Sequence, residues 1–155
     1  MRTLHFVFAL AVSFLLACPS RASEASVIGR WVTVDDKTGA PRSVVEIAEA
    51  DGTLQGKIAK IYDEPGQSPS DLCTKCSGDL KDKPILGMKI LAGLKRDGDA
   101  WDGGTILDPD SGNVYSATLG LSDSGKKLVV RGYLGISLFG RSQTWIREAS
   151  AVPAK

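Results

Sequence analysis

Residues 114–134 read VYSATLGLSDSGKKLVVRGYL, and their alternation decides the fold. Tyr115, Ala117, Leu119 and Leu121 share one side of an extended chain, while Ser116, Thr118 and Gly120 take the other. That period of two belongs to a strand with one buried and one wet face. Asp123-Ser124-Gly125 follows, a run tolerant of positive φ and far too short for a crossover, and Leu128 and Val130 then resume the alternation. The two strands must be antiparallel neighbours.

Working outward, the same unit recurs along the chain. Eight β-type runs can be read: Ile28–Asp35, Ser43–Glu49, Thr53–Tyr62, Met88–Arg96, Asp99–Leu107, Val114–Ser122, Lys126–Leu134 and Arg141–Arg147. Turn chemistry separates most of them, as in Ala50-Asp51-Gly52, Asp97-Gly98 and Asp108-Pro109-Asp110-Ser111-Gly112-Asn113. No ten-residue stretch between Val27 and Arg147 carries a helical period. The expected class is all-β, an eight-stranded antiparallel up-and-down barrel, because closure removes the sheet edges that a two-layer sandwich would leave. Gly56, Gly93, Gly103, Gly104, Gly120 and Gly132 fall inside strand runs, where glycine marks a bulge, a bend or a close approach. Residues 63–87 break the rhythm with Pro65, Pro69, Pro84, Cys73 and Cys76, and a connection that long is a functional or mobile candidate. Residues 148–155 read as a polar tail.

The first 22 residues have the form of a secretory signal, with Arg2 ahead of a nearly uninterrupted apolar run from Phe6 to Ala17 and cleavage expected after Ala22. The run is too short for a transmembrane span, and no later stretch is a better candidate. The competing reading anchors a lipoprotein at Cys18. Residues 23–155 then form one domain, directed to the periplasm or beyond. The whole chain holds 19 basic and 18 acidic side chains, and loss of Arg2 and Arg21 with the leader leaves the acids in slight excess. That balance argues against nucleic-acid binding or polybasic membrane attachment. The single histidine, His5, would leave with the leader, which removes imidazole-based catalysis and histidine-ligated metal from consideration.

Ile28-Gly29-Arg30-Trp31 places a Gly-x-Trp at the head of the first strand, and Trp145-Ile146-Arg147 closes the last. This resembles the lipocalin (calycin) arrangement, which implies a tryptophan at the closed barrel end with a late arginine packed across it. Further matches are Asp35-Asp36, Gly56-Lys57-Ile58, Cys73-Thr74-Lys75-Cys76, Gly87-Met88-Lys89-Ile90-Leu91, Arg131-Gly132-Tyr133 and Gly140-Arg141-Ser142-Gln143-Thr144-Trp145. Together these resemble the bacterial envelope family DUF2147 over residues 28–147. The resemblance implies a small exported barrel and carries no catalytic residues with it.

Cys73 and Cys76 would meet in an oxidising compartment, so a disulfide is the default. Closing so short a loop restrains the long connection and contributes little to the barrel. A thiol oxidoreductase would need one thiol of low pKa, and no β-α-β pattern surrounds the pair. Zinc would need two more ligands, such as Asp71 and Asp79. No cofactor is expected.

Trp31, Trp101 and Trp145 lie at or near strand ends, as barrel plugs or as ligand-facing rings. Trp31, Trp101, Tyr115, Arg131 and Tyr133 are the candidate ligand contacts. Arg131 and Tyr133 share one strand face, a spacing that resembles the carboxylate clamp of intracellular fatty-acid-binding barrels, provided that face is inward. The alternation of Leu128, Val130 and Leu134 favours the outward face. Leu138 and Phe139 make an unusually apolar hairpin tip, folded over the mouth or offered to an envelope partner. Asp35-Asp36 and Asp108 with Asp110 sit at turn spacing, where acids usually cap backbone groups rather than catalyse. The leading expectation is a non-enzymatic barrel that holds a small amphiphilic or lipid-like ligand. A protein-interaction or inhibitor module comes second and the oxidoreductase third.

Overall fold

The structure is a computed structural model that describes residues 25–62, 72–136, 138 and 140–148. The expected signal, Cys18, the first part of the long connection, Phe139 and most of the tail lie outside the described residues. Alternating apolar residues and tight turns produce eight strands: β1 (Gly29–Val34), β2 (Pro41–Ala50), β3 (Thr53–Ile61), β4 (Lys89–Asp97), β5 (Ala100–Asp108), β6 (Asn113–Ser122), β7 (Lys127–Tyr133) and β8 (Gly140–Arg147). Each pairs antiparallel with the next, and β8 returns to β1 to close a barrel. The expected eight-stranded up-and-down topology is therefore what forms. Boundaries shift by a residue or two. Pro41 opens β2, for instance, a first-residue position where its missing N–H breaks no inner ladder.

The half of the barrel that holds the start of β1 and the end of β8 is solid. Trp31, Ile47, Leu54, Leu94, Leu119 and Leu128 are fully buried there. Packing this tight needs a strand without a side chain at one point. A Cβ on Gly104 would lie 2.5 Å from the carbonyl oxygen of Ala92, so its hydrogen lets β4 and β5 approach. The Trp31 indole N–H donates to the Val27 carbonyl at 2.8 Å, and the Arg147 guanidinium lies 4.1 Å from the ring centroid. Arg147 also donates to the carbonyls of Gly125 at 2.8 Å and Ser26 at 2.5 Å. One arginine thus ties the β6–β7 turn and the N-terminal segment across the tryptophan, as the lipocalin resemblance implied.

The long connection is structured where it is described. Cys73 and Cys76 form a disulfide, with Cα atoms 5.4 Å apart. Leu72 bridges Pro84, a short 3₁₀ turn spans Gly78–Leu80, and the Cys73 N–H donates to the Lys83 carbonyl at 2.8 Å. Both cysteines are buried in the core cluster, so neither sulfur is presented at the surface as an exchange reaction requires. The Cys73 sulfur lies 3.4 Å from the Pro109 carbonyl oxygen, and the backbone of Lys75 lies against Gly112. The connection therefore docks on the β5–β6 turn.

Candidate functional site

The opposite end of the barrel, ringed by the β1–β2, β5–β6 and β7–β8 turns, is hollow. A cavity of about 700 Å³ opens there, within the range of small-molecule sites. Ile58, Ile90, Ile106, Tyr115 and Trp145 supply apolar wall, and Ile85 adds to it from the long connection. Trp145 is only 2% exposed and forms part of the floor above the packed half.

The mouth is charged. Asp35 and Asp36 come from the β1–β2 turn, Arg42 from β2, Asp108 and Asp110 from the β5–β6 turn region and Arg141 from β8. Arg42 reaches Asp110 at 2.8 Å. Arg141 pairs with Asp36, whose carboxylate also accepts from the Gln143 amide at 3.4 Å. Gln143 in turn accepts from the Trp145 indole at 3.4 Å, so a polar line runs down β8 from mouth to floor. Asp108 accepts from the Asp110 N–H at 3.0 Å and the Ser111 hydroxyl at 2.7 Å, which makes it a turn cap as its spacing implied.

Asp35 caps the β1–β2 turn in the same way. Its carboxylate accepts from the backbone N–H groups of Thr38 at 2.8 Å and Lys37 at 3.0 Å, and from the Thr38 hydroxyl at 3.0 Å. The Thr38 backbone bond above all holds its pKa below the usual carboxylate value. A lowered folded-state pKa contributes stability that is present above the ordinary carboxylate range and is lost as pH falls through the folded value. The melting temperature of Asp35→Asn should accordingly lie below that of the wild type at neutral pH, with the gap closing in acid. Thermal melts through the acidic range check this, and a gap independent of pH would assign the residue another role.

Of the five expected ligand contacts, Tyr115 alone lines the cavity. Trp31 plugs the closed end. Trp101 lies at that end too, beside a separate space of about 140 Å³ shared with Arg96, Asp99 and Leu121. Arg131 and Tyr133 stand on the outer face. Leu128 and Val130 take the interior parity, with Gly132 continuing it at the cavity wall. Arg131 donates to the Ser142 hydroxyl at 3.1 Å, and the Tyr133 hydroxyl donates to Asp102 at 3.4 Å. The inward carboxylate clamp is thus not assembled, for the parity reason that the alternation already favoured. Leu138 is 76% exposed and does not fold over the mouth. Sequence reasoning passed over Arg42, Arg141 and Gln143. The signal was present in β8, where Arg141 and Gln143 share the parity of the buried Trp145.

A closed eight-stranded antiparallel barrel, solid at one end and hollow at the other, with Trp31 and Arg147 stacked at the closed end, is a lipocalin-like fold. Residues 29–147 match the family model described as "Uncharacterized protein conserved in bacteria (DUF2147)", and the chain belongs to that family. Its structure is similar to that of protein HP1028 from the human pathogen Helicobacter pylori, described as belonging to the lipocalin family. The TM-score is 0.66 at 18% identity, over 79% of this chain and 83% of that one, a likeness of fold. No curated protein sequence matches the chain.

Proposed function

We propose that the protein is an exported binding barrel that holds a small amphiphile, tail inward, in the cavity between β1–β8 and the long connection. The observation that carries this reading is the division of one space into apolar wall and charged rim. Export rests on the leader-like residues 1–22.

The rim also argues for a head-group class. Among the described residues, four carboxylates, from Asp35, Asp36, Asp108 and Asp110, face two guanidiniums, from Arg42 and Arg141. The surplus negative charge disfavours an anionic head and favours a neutral or cationic one. Native mass spectrometry should find a co-purified amphiphile. The neutral fluorescent amphiphile N-phenyl-1-naphthylamine should bind and be displaced by dodecylammonium at lower concentration than by dodecanoate. Absence of both a co-purified ligand and probe binding would refute containment, and a preference for dodecanoate would refute the charge argument.

A second reading has one observation in its favour. Leu134, Ile136 and Leu138, on the β7–β8 connection, are 66%, 62% and 76% exposed, an apolar concentration that fits a partner contact. A photo-crosslinker at position 138 tests it through one dominant adduct from the cell envelope.

A further inference from the structure

The barrel is not laced equally on all sides. Towards the mouth, β1–β2 pairing runs to Val34↔Pro41, β5–β6 to Asp108↔Asn113 and β7–β8 to Tyr133↔Gly140. Between β3 and β4 the ladder is short, but Gly87 donates to the Ile58 carbonyl at 2.7 Å and Ile58 to the Met88 carbonyl at 3.0 Å, and β4–β5 pairing ends at Leu91↔Ile106, near the mouth-side ends of both strands. At the β1–β8 seam the ladder consists of Trp31↔Arg147 and Val32↔Ile146 and then stops, although β1 continues to Val34 and β8 begins at Gly140. On its other side β1 has a register shift between Thr33 and Val34 against β2, and the Thr33 hydroxyl lies 2.8 Å from that of its cross-strand partner Ser43.

Thr33, Val34, Gln143 and Trp145 all line the cavity, so the unlaced stretch leads straight into it. Side chains close it instead of backbone: Asp36 holds both Arg141 and Gln143. The Asp36 and Arg141 side chains are 36% and 72% exposed, and an ion pair so open to water is weak and easily broken. Leu134, exposed yet lining the cavity, adds an apolar lip beside β8.

We infer that the β1–β8 seam beyond Val32 is a side portal for the amphiphile, latched by Asp36 on Arg141 and Gln143. This rests on the cavity being a binding site. Opening such a latch lowers the barrier for entry and exit alike. Stopped-flow exchange of N-phenyl-1-naphthylamine should therefore show association and dissociation rates of Asp36→Ala raised together, by roughly two- to fivefold, the fold-change of an exposed ion pair. The probe is uncharged and offers the rim no head group to read, so its two rates should rise by the same factor. Arg141→Gln should act in the same direction, and raised salt should speed exchange in the wild type but little in Asp36→Ala. Lys57→Gln breaks an equally exposed pair with Glu46 on the outer wall and should leave exchange alone. Wild-type rates in Asp36→Ala, or a change in Kd through one rate only, would overturn the portal while leaving the binding site standing. No probe binding in the wild type would overturn both.

Discussion

Gly112→Ala is expected to release the disulfide-bearing connection from the β5–β6 turn and to weaken amphiphile binding at least about tenfold, or about 1.4 kcal/mol, well within what a forced local rearrangement costs. Gly112 adopts φ +74°, where a Cβ alone costs about 1 kcal/mol. The larger effect is steric. A methyl group there would overlap the carbonyl of Lys75 and come within 2.9 Å of the Cys76 nitrogen, both of them backbone and neither free to rotate aside. The connection must therefore lift, and Asp108, Pro109 and Asp110 lose the surface that backs them at the cavity mouth. Gly39→Ala is the matched comparison, since Gly39 has φ +71° and open space where the methyl would go. Limited trypsin digestion should cut at Lys75 or Lys81 in Gly112→Ala and spare both in Gly39→Ala. Equal resistance would mean that the connection does not depend on this contact.

Trp31→Ala should cost about 3–5 kcal/mol, the range for emptying a core aromatic site. Total stability for a domain is roughly 5–15 kcal/mol, so the variant would be marginally folded. The indole is fully buried, its N–H bond to Val27 holds the N-terminal segment, and Arg147 loses its ring partner. Trp31→Phe keeps most of the volume and loses mainly the hydrogen bond, worth about 1 kcal/mol. Urea unfolding measures both. Because Trp31 fills the closed half, folded Trp31→Phe should bind the amphiphilic probe like the wild type. A large loss of affinity with unchanged stability would move the ligand to the other end of the barrel.

Much of this architecture was readable in the chain. The period of two across residues 114–134, the tight turns and the Gly-x-Trp opposite a terminal arginine anticipate eight antiparallel strands and the closed-end stack. The outward parity of Arg131 and Tyr133 was legible in Leu128 and Val130 for the same reason. Backbone pleating assigns successive side chains to opposite faces without reference to the rest of the molecule.

Depth along the barrel was not legible, since alternation says inside or outside but not floor or mouth. Trp31 and Trp145 read alike as strand-end aromatics, yet one seals the packed half and the other floors the cavity. The same holds for contacts between distant segments. Asp36 meets Arg141, and Arg42 meets Asp110, only after the sheet has curled shut. Local chemistry in the chain sets strand, turn and face. Where the hollow lies, which charges rim it and where the lacing fails depend on register, bulges and closure, because these bring together groups that no local pattern relates.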